Sequence, residues 1–340
     1  MDLLRLMCGL ALFLFGMHIM GNALKKSAGE RLSDLLERFT SSGFKGFSLG
    51  FATTALIQSS SAVTVMVVGF VNSGAMLLSR AVTVIMGANV GTVVTTWLTA
   101  LNGVSDGSGA LEIFGYLKPD FWMPILAFIG IILLTFSKNE KISDIATVML
   151  GFSVLMVGMD LMSEAVEPLK DDRSFISILT VFKNPIMGLL AGSVLTVVVQ
   201  SSSASIGILQ ALSTTGAINF SMAIPIILGQ NVGTCVTAML SSVSANKNGK
   251  RAAFVHLYFN LFGAIIWLFA YYLVGWILGA FGVFDVFALA EESSVTMWGI
   301  AVVHTLFNVL NVILFAPFTK LLEKLVRLTV REDDAESEVI

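Results

Sequence analysis

Two short polar sequences interrupt an otherwise apolar chain, and each occurs twice. Gln58-Ser59-Ser60-Ser61-Ala62 returns as Gln200-Ser201-Ser202-Ser203-Ala204. Gly87-Ala88-Asn89-Val90-Gly91-Thr92 returns as Gly229-Gln230-Asn231-Val232-Gly233-Thr234. In both copies the Asn lies 31 residues after the Gln (89−58 and 231−200). Hydroxyls and carboxamides are costly in an apolar medium unless paired or wet. Serine runs also compete for backbone hydrogen bonds, so each Gln-Ser-Ser-Ser should break its helix. A break frees N–H groups at the positive end of the next half-helix, and serine hydroxyls add donors beside them. That donor set suits a small tetrahedral oxyanion. Gln carbonyls, and backbone carbonyls freed where the first half-helix ends, suit a hard cation. In the second motif the two Gly should interrupt the span, and Asn and Thr favour cation coordination. The competing reading is structural: Ser and Gln hydrogen-bond helices together, and Gly87/Gly91 and Gly229/Gly233 have the spacing of close helix packing.

The elements that must position these motifs follow from composition and repetition. Of 340 residues, 56% are hydrophobic and 13% charged, and mean hydropathy is +0.86. A soluble domain carries about 25% charge, so a soluble enzyme is excluded and a multi-span membrane protein is expected. A net charge of −3 gives nucleic-acid binding no electrostatic support. Cys8 and Cys235 lie far apart inside apolar runs, offering neither a disulfide framework nor a metal site. The first apolar run lacks a basic leader and a small-residue cleavage pattern, and reads as a retained span. Shifting the chain by 142 residues aligns 9–95 with 151–237, with 26 identities in 87 positions. Apolar segments at 44–72 and 185–218 carry the Gln-Ser-Ser-Ser runs and read as re-entrant hairpins. Those at 77–101 and 221–243 read as broken spans. The expected architecture is all-α and polytopic: repeat 1 over 1–101, a loop and connecting span over 102–142, repeat 2 over 143–243, scaffold spans over 244–318 and a tail over 319–340.

Cations in short loops set the orientation. Lys25, Lys26, Arg31, Arg38 and Lys45, then Lys138 and Lys141, then Lys247, Lys250 and Arg251, and the tail cations all read as cytoplasmic. Loops 102–120 and 285–294 read as external, which puts the N-terminus outside and inverts the second repeat relative to the first. Loop 168–184 should be external despite Lys170, Arg173 and Lys183. Segments 27–42 and 169–184 have apolar residues at helical spacing, as interfacial helices do. Inverted repeats with interrupted helices characterise secondary transporters. Neither motif holds Lys or Arg, so co-bound sodium is the economical source of positive charge for an anion. An anion channel would share the breaks but has less need of inverted copies. A serine hydrolase lacks both a G-x-S-x-G elbow and an evident Ser/His/acid set. His18, which the repeat pairs with Asp160, and His256 and His304, which precede Asn260 and Asn308, read as helix-to-helix hydrogen-bonding groups.

The paired motifs at constant spacing in inverted copies resemble the sodium/phosphate cotransporter family, type II, with its bacterial relatives. The resemblance covers about 9–243 and the V-H-x-x-F-N stretches near 256 and 304. It implies sodium-driven import of inorganic phosphate across the plasma membrane, the inner membrane of a bacterium, with sodium co-transported and no organic cofactor or transition metal. Phosphate would be held by Gln58, Ser59, Ser60 and Ser61 with Gln200, Ser201, Ser202 and Ser203. Sodium would be held by Thr54, Gln58, Asn89, Gly91 and Thr92 with Thr196, Gln200, Asn231, Gly233 and Thr234. Phosphate, sodium and lipid are the implied partners, with a homodimer left open; arsenate and sulfate are alternative tetrahedral anions. Bacterial relatives often add a domain similar to phosphate-uptake regulators, and none is expected within this sequence.

Overall fold

The computed structural model of the chain describes residues 2–28, 42–103, 119–283 and 285–331. Among them the chain is helical, with no strand beyond an isolated bridge between Asn219 and Ser294. Among the described residues, six helices are long and apolar enough to cross a membrane: Leu3–Leu24, Leu78–Gly103, Glu140–Leu169, Phe220–Ser241, Lys247–Ala280 and Met297–Thr329. Large apolar side chains such as Phe128, Val198, Phe269 and Trp276 face outward, as lipid contact requires. The chain is an all-α polytopic membrane protein.

Without a hydrophobic drive between helices in lipid, small residues let backbones meet. α1 (Asp2–Ala28) and α7 (Glu140–Val166) cross antiparallel in this way. A Cβ on Gly9 would lie 2.8 Å from the Gly158 carbonyl oxygen, and one on Gly16 2.6 Å from that of Gly151. Under the 142-residue shift Gly9 becomes Gly151 and Gly16 becomes Gly158, so the two contacts exchange. α2 (Gly43–Ile57) packs on α4 (Leu78–Gly91), and α9 (Pro185–Val199) on α11 (Phe220–Ser241), through a common device. A Cβ on Gly50 would sit 2.0 Å from the Val84 carbonyl oxygen, and one on Gly192 2.0 Å from that of Ile226. α3 (Ser60–Asn72) and α10 (Ser202–Ser213) follow the two serine runs. α5 (Val93–Ala100) continues from α4, and α6 (Pro119–Phe136) packs on α7.

The expected break at the Gly-x-Asn-Val-Gly-Thr motif is absent in the second copy, and in the first it amounts to a division at Thr92 within a single span. α11 runs uninterrupted from Phe220 to Ser241, and between α4 and α5 Thr92 keeps helical angles (φ −62°, ψ −27°). The glycines serve close approach instead, Gly87 against the Phe47 carbonyl and Gly229 against that of Leu189. The polar side chains turn back onto their own helix. Asn89 and Asn231 donate to the carbonyls of Ile85 and Ile227, each at 2.9 Å. Thr92 and Thr234 donate to those of Ala88 (3.2 Å) and Gln230 (2.9 Å).

The remaining helices enclose this body. α8 (Arg173–Thr180) buries Leu179, and its segment bends 108° into α9. α12 (Lys247–Ala280) packs on α3, α4 and α11; α13 (Val286–Glu292) is short; α14 (Met297–Phe315) packs on α5, α10 and α11. The stretch read as tail begins with α15 (Thr319–Thr329), whose buried Leu322 and Val326 join the core around α4 and α12. Most of 27–42 and of the loop 102–120 lies outside the described residues.

Candidate functional site

Both serine runs fold alike. α2 ends at Gln58 in the left-handed region (φ 58°, ψ 27°), and α9 ends at Gln200 there too (φ 56°, ψ 21°). Each Gln N–H caps its own helix, donating to the carbonyl of Thr54 or Thr196 at 2.7 Å. The next residue is extended and starts a new helix. Ser59 Oγ accepts from Ala62 N–H, and Ser201 Oγ from Ala204 N–H, both at 3.2 Å. This is N-capping as serine performs it. It leaves the N–H groups of Ser60, Ser61, Ser202 and Ser203 without intrahelical acceptors. The capping hydroxyls each keep one proton to donate elsewhere.

A cavity of about 320 Å³ joins the two copies. Gln58 and Ser59 line it from the first and Ser201 from the second, with His18 and Asn22 of α1 beside them. Among the described residues, no charged side chain lines it. The two glutamines differ in use. Gln58 is 9% exposed; its Oε1 accepts from Thr95 Oγ1 at 2.7 Å and its Nε2 donates to the Ala55 carbonyl. Gln200 is exposed, and Thr237, which the repeat pairs with Thr95, donates to the Thr234 carbonyl at 2.9 Å. Ser60, Ser202 and Ser203 are buried and Ser61 half-buried, outside the cavity lining.

The second motif lies behind the cavity, not on its wall. Gly91 packs against Thr54 and Gly233 against Thr196, so those residues meet pairwise in both copies. Asn260 Nδ2 donates to Asn89 Oδ1 at 3.1 Å, and Asn308 Nδ2 to Asn231 Oδ1 at 3.4 Å. α12 and α14 therefore grip the two motifs equivalently. His304 Nδ1 pairs with Thr96 Oγ1 at 3.0 Å, whereas both ring nitrogens of His256 are buried without a partner. The repeat explains the difference: the position equivalent to Thr96 is Ala238 (96+142).

Nearby, Thr99 Oγ1 donates to Gln210 Oε1 at 2.6 Å, tying α5 of the first copy to α10 of the second. Thr53 and Thr54 Oγ1, Gln230 Oε1, Asn260 Oδ1 and Asn308 Oδ1 are buried oxygens without a hydrogen-bond partner. Neutral oxygens of this kind suit a hard monovalent cation, and no cluster of three His, Cys, Asp or Glu occurs among the described residues.

Sequence reading treated His18 as a packing residue, but it stands in the cavity wall. A signal was present: each histidine of this chain is followed four residues later by Asn, at 18/22, 256/260 and 304/308. In α12 and α14 that Asn returns to the His backbone carbonyl, at 3.1 and 2.9 Å. In α1, Asn22 Nδ2 meets the His18 ring at Nε2, 2.9 Å away.

A Bacillus subtilis protein, YqeW, is 28% identical over 319 residues, covering 94% of this chain and 95% of that one. The Escherichia coli K12 protein named "Putative inorganic phosphate export protein YjbB" is 25% identical over 334 residues, covering 98% of this chain but 56% of its own length. This chain thus spans little more than half of YjbB. The rat "Sodium-dependent phosphate transport protein 2A" is 32% identical over 145 residues, covering 38% of this chain and 23% of that one. No solved structure matches the chain. The family model described as Na+/Pi-cotransporter matches residues 12–164 and 154–290, which hold both copies of both motifs, and the chain belongs to that family of transporters.

Proposed function

We propose that the chain is a sodium-coupled symporter that imports inorganic phosphate across the plasma membrane by alternating access, with phosphate held between the two Gln-Ser-Ser-Ser breaks. The shared cavity carries this reading, because Gln58, Ser59 and Ser201 reach it from both copies. Hydroxyl protons of Ser59 and Ser201, and N–H groups at the starts of α3 and α10, surround a tetrahedral anion with neutral donors. Sodium is assigned to the oxygens at Thr54, Gln58, Asn89, Gly91 and Thr92 and to their counterparts Thr196, Gln200, Asn231, Gly233 and Thr234. The orphan oxygen of Thr54 and those beside Asn89 and Asn231 support that assignment. A cavity wall without charge makes coupling efficient, since each ion lowers the cost of admitting the other. The exchanged glycine contacts of α1 and α7 support inverted repeats, and the cations of the short loops are the ground for an outside N-terminus and a cytoplasmic C-terminus.

The printed name of YjbB favours a second direction, export. Proteoliposomes separate the two. With purified protein and radiolabelled phosphate, an inward sodium gradient should drive accumulation, and choline in place of sodium should abolish it. Sodium-independent flux with unchanged phosphate affinity removes the coupling. Outward movement against an inward sodium gradient replaces import by export. Normal transport by Ser201→Ala removes the site.

A further inference from the structure

The cavity has a third wall that neither motif supplies. His18 and Asn22 sit one turn apart on α1 and face the same space as Gln58, Ser59 and Ser201; its other lining residues are apolar or small. Carboxamide nitrogen only donates, so in the 2.9 Å contact Asn22 Nδ2 is the donor and His18 Nε2 the acceptor. In the neutral ring the proton then resides on Nδ1. The pair offers the cavity one donor, His18 Nδ1–H, and one acceptor, Asn22 Oδ1. The other polar groups there are spent differently. Both ends of the Gln58 carboxamide are bonded within its own copy. Ser59 and Ser201 oxygens already accept from Ala62 and Ala204, so they face a ligand chiefly as donors.

An anion wall made of donors alone would not tell phosphate from sulfate. The two are alike in shape, but phosphate near neutral pH carries a P–O–H and sulfate carries no proton. A free acceptor in the wall pairs with the first and repels an oxygen of the second. Sites built around a substrate hydroxyl reject analogues lacking it far more strongly than apolar pockets distinguish sizes. The repeat does not duplicate this wall: the position equivalent to His18 is Asp160, which accepts from Asn102 at 2.5 Å and is absent from the cavity lining.

We propose that His18 and Asn22 are the specificity-determining pair of the anion site, Asn22 Oδ1 accepting the phosphate P–O–H and His18 Nδ1–H donating to an unprotonated oxygen. The inference rests on the phosphate reading above.

The test is counterflow exchange of radiolabelled phosphate in proteoliposomes, which reads binding whatever the direction of net transport, with sulfate as competitor. Asn22→Leu should raise the half-saturating phosphate concentration by about tenfold or more and narrow the phosphate-over-sulfate ratio by about as much. His18→Phe should weaken phosphate similarly, and His18→Gln, which restores a donor, should recover most of the loss. Asn22→Asp is nearly isosteric and retains the fold if Asn22→Leu does not; its added negative charge should cut exchange by about tenfold or more. Well-folded variants with unchanged phosphate half-saturation and sulfate inhibition overturn this inference alone. A wild-type protein that exchanges no phosphate overturns the phosphate reading and this inference together.

Discussion

Ser59 and Ser201 each hold a helix start and face the cavity with a single oxygen. The two roles can be separated. Ser59→Ala should lose about 1 kcal/mol of stability with the cap, while Ser59→Gly should lose only a few tenths, roughly 0.3 kcal/mol. Both remove the hydroxyl, so phosphate exchange should fall equally in the two. Thermal melts in detergent alongside exchange assays check this; a glycine variant with normal exchange would make the serine a cap alone. A double-mutant cycle of Gln58→Leu with Thr95→Val should show coupling of about 1 kcal/mol, and the cycle at Gln200 and Thr237 close to none. At this scale the break at each serine run was legible, because serine competes with the helix for backbone hydrogen bonds. His18 was not. Its role depends on which neighbour its Asn engages, and the i, i+4 spacing is the same in all three pairs.

Between helices, glycine decides the approach. A Cβ on Gly50 or Gly192 would stand 2.0 Å from a backbone oxygen that cannot swing aside. Gly50→Ala and Gly192→Ala should each destabilise by about 3 kcal/mol or more. Gly69 in α3 meets nothing within 4 Å, so Gly69→Ala should gain about 0.5–1 kcal/mol. Thermal midpoints of the three variants rank the effect, and a stable Gly50→Ala would remove the account of α2 on α4. The uninterrupted α11 shows why the second motif was harder to read than the first. Local propensity places a break at Gly229–Thr234. The tertiary structure uses the missing Cβ for a neighbour and leaves the backbone helical. In the Gln-Ser-Ser-Ser runs local preference and tertiary need agree, and the break falls where the residues put it.

Across the molecule the repeat is closely followed in packing and loosely in polar detail. The glycine contacts recur, and so does the Asn grip from α12 and α14. The glutamines diverge: Gln58 is closed onto Thr95, and Gln200 is exposed. In a Cys8→Ser background, Gln200→Cys should react with a hydrophilic maleimide much faster than Gln58→Cys, since the remaining Cys235 is buried. Phosphate with sodium should slow the labelling at 200. Equal labelling at both positions would contradict the asymmetry. The sequence disclosed the duplication, because identities at Gly, Gln, Ser and Asn stand out against an apolar background. It could not disclose the divergence, which hangs on substitutions such as Ala238 for Thr96 whose partners lie in other helices.

Gln58 and Gln200 are the two non-glycine residues with positive φ among those described. A side chain held there costs about 1 kcal/mol that glycine would not incur. At Gln58 glycine would give up the Thr95 hydrogen bond, which offsets that gain, so directed evolution for thermostability alone would be drawn to glycine at the exposed Gln200. The resulting protein would melt higher and carry less phosphate. Any stabilising campaign on this scaffold needs an exchange assay in the selection, since an accessible gain lies at the Gln of the second serine run.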